Sequence, residues 1–384
     1  MLLSFSIQHE SHSRFLFMNT YRRYQMSSNY KEVQLELRKF IRINTARGFF
    51  IYASDIILYV VSIYAVLMLP ELWMKLLASV FAGFKISNLS VIAHDAAHNS
   101  LTKSKRLNKF IAITSLLPCL FNYRLWLYDH NYIHHTKTNE ENFPDSYTPM
   151  SKEKYKSSSP FKKWKERLYR KPSVLYFGLY YIMERWVKAK FYPRKNTPAK
   201  FKKRAWKYFA VLMLYFFTFM SILVIAPLYS PTSTFTAIIL GFVLPFYIFQ
   251  SVYALAVYVQ HTHPDVIWFN KTPNRKTLGR QEFISVQAKF PDWFDIFAHN
   301  IFDHGAHHAC PAIPCYQLGA AQDKLNEMLG DNALTYTFSI SKLFEIMRAC
   351  KLYDYENYCW LDFDGNRTTQ PILPEDPVEL AKVA

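Results

Sequence analysis

The sequence predicts an all-α membrane protein: four transmembrane helices in two hairpins, with a cytoplasmic helical cap carrying a histidine-rich metal site. Three observations predict it. Four apolar stretches reach the length of about 20 residues that a bilayer crossing needs. Basic residues crowd the segments before and between the hairpins and avoid the short turns within them. Eleven of the 13 histidines fall into four tight clusters beside those stretches.

Composition agrees with this class. The 384 residues include 32 Phe, 27 Tyr and 8 Trp but only 9 Gly. Few turns and many aromatics suit long helices ending at a lipid–water boundary, where Tyr and Trp concentrate. A mean hydropathy near zero points to a chain that is part membrane, part soluble. The formal charge of +17 would suit a nucleic-acid binder. Apolar spans interrupt the basic segments, however, and no nucleic-acid motif occurs, so topology explains the charge better. Residues 150–207 alone hold 19 Lys and Arg against 3 Glu. The five cysteines form no CxxC pair, which fits reduced thiols.

Taken in order, residues 1–48 read as a cytoplasmic N-terminal segment. Glu10, Arg14, Arg22 and Arg23 interrupt any signal-peptide core. His9 and His12 are assigned to a mobile tail, and Met18 or Met26 could serve as the start. A membrane unit follows over 49–309, with spans at about 49–69, 73–93, 206–228 and 235–260 and a cytoplasmic insert at 94–205. Pro70 ends the first span, and Pro245 predicts a kink in the fourth. The two short loops carry one lysine between them, Lys75, which places both termini and all four histidine clusters on the cytoplasmic side. Within the insert and just beyond, 107–121 and 173–183 read as interfacial helices. Residues 310–384 read as a C-terminal cap with a helix near Ser339–Cys350 and a Pro-rich acidic tail. Asp55 and Lys85 lie at similar depth in spans one and two, which predicts an ion pair fixing that hairpin.

The histidine spacing carries chemistry. His94 and His98 in HDAAH are four apart, so a helix presents them on one face. His130 and His134 in HNYIHH repeat that spacing, with His135 turned to a neighbouring face. His261 and His263 sit in QHTHP; His299, His304, His307 and His308 sit in HNIFDHGAHH. One metal takes about four to six ligands, so eight or more imidazoles fit two metals better than one. Zinc hydrolases of the HExxH type need a glutamate that is missing here. Copper electron-transfer sites want Cys and Met. An all-nitrogen pair of sites suits iron handling dioxygen.

HDAAH, HNYIHH and HNIFDHGAHH, in this order and spacing, resemble the three histidine boxes of the integral-membrane fatty acid desaturase superfamily. The resemblance covers roughly residues 50–320 and is closest in motif to acyl-lipid desaturases of the delta-12 and omega-3 type. It implies a non-haem di-iron centre held by His94, His98, His130, His134, His135, His304, His307 and His308. A ninth ligand would come from the end of span four: His261, with His263 the next candidate. His299 is expected to be structural. Asp95, Asp129 and Asp303 are candidates to orient imidazoles, with plain solvation as the alternative. No catalytic residue beyond the metal centre is implied. The resemblance further implies dioxygen as co-substrate and a fatty acyl substrate linked to lipid, CoA or a carrier protein. No HPGG haem motif occurs, so the electron donor would be a separate protein such as ferredoxin or cytochrome b5 with its reductase. A multi-pass location in a bacterial inner membrane or the endoplasmic reticulum follows. Hydroxylases, ketolases and alkene-forming decarboxylases share the boxes, so the reaction stays open among these. An intramembrane zinc hydrolase or receptor is the distant alternative.

Overall fold

The computed structural model describes residues 30–143, 147–271 and 283–372. The expectations for His9, His12, the alternative starts and the acidic tail lie outside the described residues. Among the described residues the chain is mostly helical, and four helices are long and apolar enough to cross a membrane.

Helix α1 (Tyr30–Arg38) precedes the first span, α2 (Thr45–Met68). The Asn44 side chain caps α2 by accepting from the Arg47 N–H, which satisfies one of the donors a helix start leaves open. Pro70 follows directly, and α3 (Leu72–His98) returns as span two. Span two runs five residues further at its C-terminal end than hydropathy indicates. The first histidine box therefore forms the last turns of the span and does not lie beyond it. Polar residues end the hydropathy window there, yet His94 and Asp95 are buried among other helices and stay helical. Asn99, in the left-handed conformation at φ 59°, ends the helix.

Helix α4 (Lys105–Leu116) occupies the first stretch expected to be interfacial. Next, α5 (Tyr123–Leu127) continues through a π-helical segment, Tyr128–His134, into one α-turn, His135–Lys137. Asn122 caps α5 and its amide donates to Ala205 O, tying this segment to span three. Short helices α6 (Lys152–Lys156) and α7 (Pro160–Tyr169) lead to α8 (Tyr176–Tyr180), which is extended by a π-helical run, Tyr181–Lys190.

Span three is α9 (Ala199–Ile225) with a 3-10 turn, Ala226–Leu228. Span four is built from α10 (Thr234–Ile238), a π-helical turn (Ile239–Val243) and α11 (Leu244–His261). Pro245 falls in the first turn of α11. It cannot donate a hydrogen bond, and the π-helical turn just before it absorbs that irregularity. Gly83 lets spans two and four approach closely: a Cβ there would meet the Ile248 Cβ at 2.7 Å.

After span four come α12 (Asp292–Phe297), α13 (His304–Ala309), α14 (Cys315–Leu329) and α15 (Ile340–Ala349). Ser339 caps α15 at the position the sequence indicates. This part departs from the all-helical expectation. Strands β1 (Gln287–Lys289) and β2 (Thr335–Thr337) pair in parallel, and β3 (Leu352–Asp354) and β4 (Cys359–Leu361) pair antiparallel. These strands are three residues each, too short for a period-two pattern to show in sequence. One large apolar core runs from the spans into α13, α14 and α15, and α1 packs on α14.

Candidate metal centre

Four helical pieces bring nine imidazoles together: the end of α3, the π-helical segment after α5, the end of α11, and α13. The nitrogens form two groups. His94, His98, His130, His135 and His307 make one; His134, His261, His304 and His308 make the other. Within each group the candidate ligand atoms lie within 4.8 Å of one another.

Backbone geometry decides the sorting. On a regular helix His130 and His134 would share a face. The π-helical segment widens the turn, so residues five apart align instead. His130 Nε2 and His135 Nε2 come to 3.1 Å, and His134 turns to the second group, 3.1 Å from His308 Nε2. His130 and His134 still stack, with ring centroids 5.1 Å apart, but their nitrogens serve different groups, which helical spacing alone does not tell. Helix α13 serves both groups. His304 and His308, four apart, meet at 3.0 Å in one group, and His307 reaches His94 at 3.0 Å and His135 at 3.1 Å in the other.

The donor set fits a pair of metal ions. His130, His307 and His308 Nε2 each approach two other Nε2 atoms at 3.0–3.1 Å. An imidazole nitrogen offers one in-plane lone pair or one N–H, so it cannot satisfy two such neighbours by hydrogen bonding. A shared cation satisfies all of them. Nitrogens about 2.1 Å from one first-row ion and at right angles are separated by about 3.0 Å. The protonation states agree. Burial, reinforced by neighbouring imidazoles, holds His130, His135, His304, His307 and His308 well below the ordinary histidine value. Both effects favour the neutral form that metal ligation requires.

Outer contacts orient several rings. Asp95 Oδ1 lies 3.0 Å from His94 Nδ1, and its Oδ2 accepts from the Cys315 N–H at 2.5 Å. His261 Nδ1 lies 3.2 Å from Ile284 O, which aims its Nε2 at His304 Nε2, 3.1 Å away. Trp126 stacks on His130, with ring centroids 4.6 Å apart. Asp303 accepts instead from Gln287 Nε2 at 2.7 Å, and burial raises its carboxyl to about 6. Asp129 is gripped by Arg185 at 2.8 Å and Lys190 at 2.5 Å.

A cavity opens beside both groups. His94, His130, His134 and His304 line it together with Val91, Ala256, Val257 and Phe294. Along α3 it runs from His94 to Phe84, ten residues, or about 15 Å at 1.5 Å per residue. Its far end is apolar, with Phe84 and Phe297 in edge contact at 6.1 Å. Asp129 and Lys190 also line it.

A sequence model of the fatty acid desaturase family matches residues 70–339. The chain belongs to the fatty acid desaturase family. It is 26% identical to the chloroplastic omega-6 fatty acid desaturase of Brassica napus, over 77% of this chain and 64% of that protein. It is also 26% identical to the chloroplastic omega-6 fatty acid desaturase of Spinacia oleracea, over 87% of this chain and 72% of that one. The sn-1 oleoyl-lipid 12-desaturase of Anabaena variabilis is 26% identical over 74% of this chain and 77% of its own length. The chain thus spans a little under two thirds of the Brassica protein it matches.

In this chain all nine histidines implied as ligands converge. His263 lies outside both groups: its Nδ1 accepts from the Asp265 N–H, and its ring stacks on Tyr336. His299 also lies outside them and bonds Asp55. The expected Asp55–Lys85 pair forms at 2.9 Å. Sequence reasoning missed Trp126, Arg185, Lys190 and Gln287. Each comes from a segment whose composition points to core or to topology, so no local signal marks it.

Proposed function

We propose that the chain is an O2-dependent fatty acyl desaturase that introduces a C=C bond through a non-haem di-iron centre. The ligands are His94, His98, His130, His135 and His307 for one iron and His134, His261, His304 and His308 for the other. When bound, the iron pair supplies the redox chemistry with dioxygen that removes two hydrogens from adjacent carbons. The chain's own residues do the rest. Val91, Ala256, Val257 and Phe294 bind an alkyl chain and exclude water beside the histidines. The methyl end fits the apolar pocket at Phe84 and Phe297, and the polar end of the substrate faces Asp129 and Lys190. The observation that carries this reading is the convergence of nine imidazoles on two centres, with His94, His130, His134 and His304 among them lining a largely apolar cavity.

The named relatives favour an oleoyl chain on a membrane lipid, with the new bond at the delta-12 (omega-6) position. Charge asymmetry favours an inner-membrane or endoplasmic-reticulum protein with residues 1–48, the 94–205 insert and the 310–384 cap on the cytoplasmic side. Electrons come from a separate donor such as ferredoxin or cytochrome b5. Expression in a host rich in oleoyl lipids, followed by mass spectrometry of its acyl chains, tests the reaction. A diene is expected. A hydroxylated, keto or shortened terminal-alkene product would replace it with another reaction of the superfamily. Metal analysis of purified protein should find two irons per chain; a single zinc would overturn the centre.

A further inference from the structure

The residues between α12 and α13 receive an unusual share of the polar side chains buried in the spans. Asp55 of span one faces His299, Oδ2 to Nε2, at 2.5 Å. Asn88 of span two donates to Phe297 O at 2.8 Å. Gln260 of span four donates to Ile301 O at 2.8 Å. Lys85 of span two donates to the other oxygen of Asp55 at 2.9 Å, and its Nζ lies 4.4 Å over the Phe297 ring. A polar group in an apolar span is costly unless partnered, and these four are committed to one turn. A hairpin ion pair alone would need only Asp55 and Lys85.

The turn itself is held in a conformation that side chains disfavour. His299 and Asn300 are consecutive left-handed residues, at φ 54° and 53°. Such a backbone persists where its surroundings over-determine it. On one side of the turn, Phe294 and Phe297 form a wall of the acyl cavity. On the other, three residues past Ile301, stands His304. Asn300 also donates to Cys315 O, and the Cys315 N–H donates to the Asp95 carboxylate that faces His94. The turn is therefore bonded both to the cavity wall and to the network that orients the metal-facing imidazoles.

We infer that His299, held by Asp55, is a positioning residue that fixes the aromatic wall of the cavity relative to the metal-binding helix and so sets which carbons face the centre. This deepens the desaturase reading and rests on it. Displacing a wall that aligns substrate costs rate and register without touching a ligand. An error near 1 Å is enough for about 100-fold in rate.

The test compares His299→Ala, His299→Gln and His304→Ala in the full-length protein. The readouts are membrane level, bound metal, turnover and double-bond position by mass spectrometry. His299→Ala should keep its membrane level and its metal, lose about 10-fold or more in turnover, and yield a mixture of positional isomers. His299→Gln, which can still donate to Asp55, should restore a single product. His304→Ala should lose metal. The inference is overturned if His299→Ala gives the wild-type product at the wild-type rate, or if it loses metal as His304→Ala does. If His299→Ala does not accumulate, Phe297→Leu and Asn88→Ala decide, because they loosen the same wall; an unchanged product from both overturns the inference. Wild-type protein that makes no unsaturated product would count against the desaturase reading itself, and the wild-type lane alone reveals it.

Discussion

Spans two and three differ little in length but oppose each other in everything else. Span three is the more apolar, with a mean hydropathy of 2.5 against 1.6 in their most apolar windows. Yet only 11% of its window is buried by the rest of the chain, against 67% for span two. Span two buries Ser79, Lys85, Ser87, Asn88, Ser90, His94 and Asp95. Span three buries Phe201, Ala205, Leu212 and Leu223. In a bilayer the hydrophobic effect does not sort helices inward, because lipid is as apolar as leucine. Interior position is marked by polarity instead. The less hydrophobic span carries two of the nine clustered histidines, and the more hydrophobic one faces outward.

The largest consequence falls on the imidazoles. His94→Ala in span two, or His307→Ala in α13, removes a nitrogen from the five-membered group and opens a contact of 3.0 Å. Turnover should vanish and bound metal should fall, while the protein still inserts, because span hydropathy is untouched. Lipid profiling and metal analysis check both. His261→Ala should behave the same way, whereas His263→Ala, five residues beyond Tyr258 but directed at Tyr336, should keep its metal. Equal metal loss in the two would break the assignment of His261 as the ligand from span four.

A smaller effect is expected from Asp95→Asn. The carboxylate holds His94 through Nδ1 and the start of α14 through the Cys315 N–H. An amide keeps the shape but removes the charge that strengthens an imidazole ligand. Metal affinity should drop by about 10–100-fold, readable by chelator competition on purified protein. An unchanged affinity would mean that Asp95 only joins helices.

Much of this was legible before the structure. Box order, span number and the Asp55–Lys85 pair follow from hydropathy and spacing alone. What was not legible is the sorting of imidazoles between the two groups. A 3.6-residue period puts His130 with His134, and nothing in HNYIHH announces a π-helical turn that pairs His130 with His135. The end of span two was misplaced for a related reason. Hydropathy reads His94 and Asp95 as solvent-seeking, while tertiary contacts bury them. Arg185 and Lys190, more than 50 residues away, each donate to one oxygen of Asp129. Such long-range pairings leave no trace in local composition.

Packing between spans gives the next smaller effect. A Cβ at Gly83 would meet the Cβ and Cγ2 of Ile248 at 2.7 Å, atoms fixed close to the span-four backbone. A Cβ at Gly241 would meet the Cδ2 of Leu223 at 2.9 Å, the end of a side chain that can rotate away. Gly83→Ala should therefore cost about 1–3 kcal/mol, and Gly241→Ala less. Thermal unfolding in detergent ranks the two. The reverse order would show that span four is held more tightly by span three than by span two.

The smallest effect should come from the outer face of span three. Leu214 is 70% exposed and Phe217 63% exposed. Neither lines the cavity or touches a metal-facing histidine. Replacing either with Ala trades apolar surface against lipid tails for less of the same surface. No cavity opens and no polar group loses a partner, so the change should stay within about 0.5 kcal/mol. Double-bond position and turnover in membranes should match wild type. A clear loss of activity from Leu214→Ala would mean that this face is covered in the membrane, by a second copy or by another membrane protein. Span three would then carry function through a surface that its own hydropathy conceals.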